Sequence, residues 1–184
     1  MKLHHLFVVA MLVACSGSKT MDNSKSEQTD ETAKPTADKG ITFSNVSVHD
    51  NVYVGGQPTP DELRRAVASG VTTIVNLRGT NEPGVAEQEK LAAELGVTHV
   101  AIPISSPDDL TSDAAKKLDD ALSAAAGKPV IVHCASGNRV GALFAVRAHE
   151  IGKQSPEEAL ATGKAYGMTR FEPAVRKRLG LDAE

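Results

Sequence analysis

A chain of 184 residues with a hydrophobic fraction of 41% has enough apolar material for one core plus extensions. Aromatic residues make up only 3%, so that core must be built from Val, Ile, Leu and Ala, as in layered α/β structures. The formal charge is −3 and no basic stripe stands out, which argues against nucleic-acid binding.

The N-terminus reads as a processing segment. Lys2 supplies a positive end, and residues 6–13 are an apolar run too short to span a bilayer. The run ends in Leu12-Val13-Ala14-Cys15, which resembles the lipobox of bacterial lipoproteins. That resemblance implies a signal peptide over residues 1–14, cleavage before Cys15 and a lipid anchor on its sulfur. Ser16 after the cysteine resembles the outer-membrane pattern, so a periplasm-facing outer membrane is expected if the cell is Gram-negative. Residues 15–40 form a linker without aromatic residues and without Val, Ile or Leu, too polar to order itself. A coil of about 25 residues spans roughly 25–30 Å, enough to hold a domain off a membrane surface.

The folded domain is expected over residues 41–184. Residues 52–54 form a short strand, followed by Gly55-Gly56-Gln57-Pro58. Thr59-Pro60-Asp61-Glu62 opens a helix, with Thr59 as cap and Glu62 completing a capping box. Leu63, Ala66 and Val67 give it an apolar face, and Gly70 ends it. Strands are expected over residues 71–77 and 98–104, with a helix over 86–95 between them. An Ala-rich helix covers 113–126, the central strand 130–133, and a further helix 139–151. Ser155-Pro156-Glu157-Glu158 repeats the capping logic for another helix, and a short last helix covers 173–179. Strands alternating with helices predict an α/β three-layer sandwich around a mostly parallel sheet.

The chemistry concentrates at Val130-Ile131-Val132-His133-Cys134-Ala135-Ser136-Gly137-Asn138-Arg139. A β-branched run ends in His-Cys, a short loop with a glycine follows, and an arginine opens a helix. Such a turn presents inward-facing N–H groups and the positive end of a helix. It stabilises the thiolate, the nucleophilic form of cysteine. Cys134 is therefore the expected nucleophile. The N–H groups of Ala135, Ser136, Gly137, Asn138 and Arg139 form an oxyanion cradle, and Arg139 supplies a planar fork that lysine lacks. His133 points away from Cys134 by strand alternation and orders the loop rather than acting as a base. Ser136 either bonds the thiolate or the loop, or is a plain turn residue. With Cys15 lipidated, Cys134 is the only free thiol.

The loop 105–109 leaves the C-terminal end of a strand, the end that faces the site in open α/β sheets. Asp108 or Asp109 is the candidate acid for a leaving oxygen, with Asp108 preferred; the other use of Asp109 is in opening the next helix. Arg78, also beyond a strand end, either assists anion binding or pairs with Glu82, the second being favoured. The histidines show no metal-ligand spacing, and neither a metal nor a cofactor is expected.

Three pieces in order, Gly56-Gln57-Pro58, Val75-Asn76-Leu77-Arg78 and His133-Cys134-Ala135-Ser136-Gly137-Asn138-Arg139, resemble the cysteine-dependent protein tyrosine and dual-specificity phosphatase superfamily. The resemblance is closest to the phosphatase-like domain of beta-lactamase hydrolase-like proteins. It implies a cysteine-phosphatase-like fold, a phosphocysteine intermediate on Cys134, Arg139 as phosphate ligand and an acid near Asp108. Two features differ from the usual pattern. Four residues separate Cys134 from Arg139, one fewer than in the usual phosphatase loop, and Val140 stands where many phosphatases have Ser or Thr. Rhodanese-type sulfurtransferases use a similarly short loop to carry a persulfide. The expected function is hydrolysis of a small oxyanionic or phosphorylated substrate. The alternatives are sulfur transfer through Cys134 and a non-catalytic oxyanion-binding module.

Overall fold

Burial along the central strand decides the architecture. Val130, Ile131, Val132 and His133 are all buried, so this strand is covered on both faces. Val130, Val132 and Cys134 belong to one apolar cluster and Ile131 to another, as alternation requires. The structure, a computed structural model, describes residues 40–181. The expected leader, Cys15 and nearly all of the linker lie outside the described residues.

Five strands form one sheet: β1 (Ser47–His49), β2 (Val52–Gly55), β3 (Thr73–Asn76), β4 (Thr98–Ala101) and β5 (Val130–His133), in the order β1-β2-β5-β3-β4. Only β1 is antiparallel; β2, β5, β3 and β4 are parallel. Helices α1 (Pro60–Ala68) and α2 (Val85–Glu94) cover one face with Ile41 and Phe43. On the other face lie α3 (Ser112–Ala124), α4 (Asn138–Glu150), α5 (Pro156–Ala165) and α6 (Glu172–Arg178). The three-layer α/β sandwich with a mostly parallel sheet is therefore observed.

Local chemistry sets the element ends. Thr59 and Ser155 cap α1 and α5 with complete capping boxes to Glu62 and Glu158. The strand expected over 98–104 is shorter in the structure. Pro103 interrupts it, although Ile102 N and Ile104 N still donate to Asn76 and Leu77. Strand β1 went unread because three residues carry no usable period; pairing with β2 creates it.

The core helix α4 is buried on almost every side. Its neighbour α5 and the turn after it come so close that a Cβ at Gly141 would collide with the Gly163 carbonyl and the Met168 nitrogen. Gly141→Ala is therefore expected to cost about 3 kcal/mol, read from the urea unfolding midpoint. An unchanged midpoint would mean that the two helices separate without penalty.

Candidate active site

The order of the strands places one loop at the centre. Strand β5 lies between β2 and β3, so the turn from β5 into α4 emerges between their C-terminal ends. This is the crevice where open α/β sheets hold ligands. From β2, Gly55 accepts the Cys134 N–H at 3.2 Å, and Gly56 forms a bridge with Ser136. A Cβ on Gly56 would lie 3.0 Å from the Ala135 carbonyl oxygen, so the loop can sit against this strand end only because there is no side chain. Asn45 Nδ2 donates to the Ser136 carbonyl at 3.4 Å.

Cys134 is 1% exposed, at a cavity of about 310 Å³ shared with Ala135, Ser136, Asn138 and Arg139. Gly137, at φ +94, turns its N–H towards the sulfur and donates to Sγ at 3.1 Å. The first N–H groups of α4 have no intrahelical acceptor, and they begin at this loop. The structure thus brings Cys134, Arg139 and residues 135–138 together.

Arg139 is held differently from the sequence reading. Its Nη1 and Nη2 donate to the two carboxylate oxygens of Glu82, Nη2 at 3.0 Å, and Nη1 also donates to the Ile104 carbonyl at 3.0 Å. The end-on fork is therefore occupied by protein. Three of about five guanidinium hydrogens are used this way, which leaves the side edge, Nε with the second Nη2 hydrogen, for Cys134, which also acts on Arg139, and for an oxyanion. Glu82 is the residue that sequence reasoning did not assign to the site. It also accepts from Arg78 Nε at 3.0 Å and from Gly79 N at 2.7 Å. Arg139 foremost, with Gly79 and Arg78 assisting, holds the Glu82 carboxyl at about 2, against the opposing effect of burial. Glu82 in turn raises Arg139 further. Arg78 has the structural partner favoured above, and its Nη1 donates to the Pro83 carbonyl at 2.7 Å.

His133 lies on the opposite sheet face from Cys134. Its Nε2 is 2.8 Å from Gln88 Oε1, which also accepts from Asn76 Nδ2 at 3.1 Å, and its Nδ1 is 3.3 Å from the Cys134 carbonyl. Burial, above all else, lowers its pKa to about 4, so the ring is neutral at ordinary pH and its single N–H goes to one of these two oxygens.

The two aspartates part company. Asp109 accepts from Ser105 N and Ser106 N, both at 2.8 Å, closing a capping box on the 3₁₀ turn Pro107–Asp109. These hydrogen bonds lower its pKa, first through Ser106. The next helix is capped instead by Thr111. Asp108 lines an adjoining trough with Lys177 and Arg178 rather than the cysteine cavity, and the two spaces share Pro107. Arg170 and Phe171, unremarked in the sequence, line the cysteine cavity.

Comparison with known proteins bears on the family and on the fold. A family model described as "Beta-lactamase hydrolase-like protein, phosphatase-like domain" matches residues 45–150. Beta-lactamase hydrolase-like proteins of two Xylella fastidiosa strains are 28% identical over 126 residues, 66% of this chain; the match spans only 29% of their length. A protein of Shewanella putrefaciens CN-32 assigned as a phosphatase superimposes with a TM-score of 0.60 at 16% identity, covering 79% of this chain and 97% of its own. The core catalytic domain of the PP-IP phosphatase SIW14 from S. cerevisiae, in complex with citrate, gives 0.53 at 17% identity, covering 75% and 85%. At these identities the structural likeness is one of fold.

Proposed function

We propose that this chain, which belongs to the beta-lactamase hydrolase-like protein phosphatase-like domain family, hydrolyses a phosphate ester through a phosphocysteine on Cys134. The observation that carries the reading is a sulfur on the wall of a cavity of about 310 Å³, with the Gly137 N–H on it and Arg139 braced by Glu82 beside it.

In the first step the Cys134 thiolate attacks phosphorus, an S–P bond forms and the ester P–O bond breaks. The N–H groups of residues 135–139, apart from that of Gly137, which is on the sulfur, and the side edge of Arg139 hold the non-bridging oxygens as charge develops. The leaving oxygen takes a proton from Asp108. In the second step water attacks phosphorus and gives a proton to the Asp108 carboxylate, the S–P bond breaks, and inorganic phosphate leaves with the thiolate and the Asp108 acid restored. Asp108 lines the neighbouring trough, so its turn must close over the cavity for this transfer. Asp108→Asn is expected to lower kcat about 10²-fold on phenyl phosphate, a poor leaving group, and much less on p-nitrophenyl phosphate. Equal losses on both esters would take Asp108 out of the acid role.

The short spacing favours a second reading, in which Cys134 accepts sulfane sulfur: a new S–S bond forms on Sγ while the donor's S–S bond breaks. The proposal also places the domain on an envelope membrane through lipid on Cys15, supported by the residues before that cysteine.

A further inference from the structure

The cysteine cavity carries a cation that the chemistry above does not use. Arg139 and Arg78 share Glu82, but none of the ion pairs among the described residues involves Arg170. Its backbone, by contrast, is firmly placed. Asn138, the buried first residue of α4, accepts through Oδ1 from Thr169 N at 2.8 Å, Thr169 Oγ1 at 3.1 Å and Phe171 N at 3.3 Å. A residue of the cysteine loop therefore clamps the segment 169–171 against the cavity. Phe171 and Pro107 add apolar lining. The adjoining trough holds Asp108 with Lys177, which is likewise in none of these ion pairs, and with Arg178, which is paired with Glu150. Arg170, exposed along the cavity lining, is the cation of the cysteine cavity that none of these ion pairs uses.

We propose that Arg170 recognises a second anionic group of the substrate, which makes the substrate a small phosphomonoester that also carries a carboxylate or a second phosphate. This rests on the phosphatase reading of Cys134. The phosphoryl group sits against the loop and Arg139, a short apolar stretch meets Phe171 and Pro107, and the second anion reaches Arg170. A cavity of about 310 Å³ suits a metabolite-sized molecule.

The test compares phenyl phosphate with 3- and 4-carboxyphenyl phosphate on the full chain. The parent protein is expected to favour at least one carboxylated ester in kcat/KM by about fivefold. Arg170→Gln should abolish that preference, Arg170→Lys should keep part of it, and high salt should weaken it in the parent. No preference in the parent, or the same preference in Arg170→Gln, overturns the proposal. If no ester is turned over, the phosphatase reading fails separately. The same ratio is then read as binding of the three esters to Cys134→Ser by calorimetry, with or without Arg170→Gln. A ratio lost with Arg170→Gln supports the second-anion site, and a ratio near one in Cys134→Ser itself overturns it.

Discussion

Cys134→Ser is expected to lower turnover of p-nitrophenyl phosphate by at least about 10⁴-fold, the scale seen when a covalent nucleophile is removed. The variant should still fold and still bind phosphate. Serine is smaller than cysteine, its hydroxyl can accept the Gly137 N–H that now reaches Sγ at 3.1 Å, and the brace on Arg139 is untouched. Acid-quenched intact mass gives the complementary result. A phosphoryl adduct on the parent protein, absent from Cys134→Ser, is the expected finding after an aryl phosphate pulse. A single added sulfur after thiosulfate, with no phosphoryl adduct, would transfer the assignment to persulfide chemistry. Full turnover by Cys134→Ser would remove Cys134 from both.

Much of this was legible because it is local. The β-branched run into His133-Cys134 gives a buried strand and a turn whose chemistry follows from its own backbone. Alternation alone put His133 and Cys134 on opposite faces, and both capping boxes could be read from adjacent residues. Glu82 was hidden for the opposite reason. It stands 57 residues from Arg139, and the two meet only because β3 and β5 lie side by side and release their following loops at one edge. Periodicity records which face a residue takes, not which distant loop shares its edge. Arg170 and Phe171 were hidden in the same way, since the segment carrying them is held through Thr169 and Phe171 by Asn138, more than 30 residues away. Asp109 did carry a local signal: Ser106-Pro107-Asp108-Asp109 has the spacing of a capping turn, and that is where its carboxylate is used.

The brace on Arg139 provides the second large effect. Glu82→Gln keeps the shape of the side chain but removes the charge that three donors besides Gly79 converge on: both Nη atoms of Arg139 and Nε of Arg78. Two guanidinium groups then face each other without a carboxylate between them, and Arg139 loses the contact that sets its plane. A loss of about 10² in kcat/KM is expected, the scale of removing one oxyanion donor. Stability supplies an independent sign. Glu82 titrates at about 2 in the fold, below its ordinary value of 4.5, so the unfolded chain takes up this proton first as pH falls. The stabilisation is therefore complete above about pH 4.5 and disappears as pH falls through about 2. Urea midpoints of the parent should exceed those of Glu82→Gln by a constant margin near neutrality, and the margin should shrink between pH 4.5 and 3. A margin that widens in acid would contradict the ion-pair origin of the brace, and unchanged kcat/KM in Glu82→Gln would mean that Arg139 reaches its working position without it.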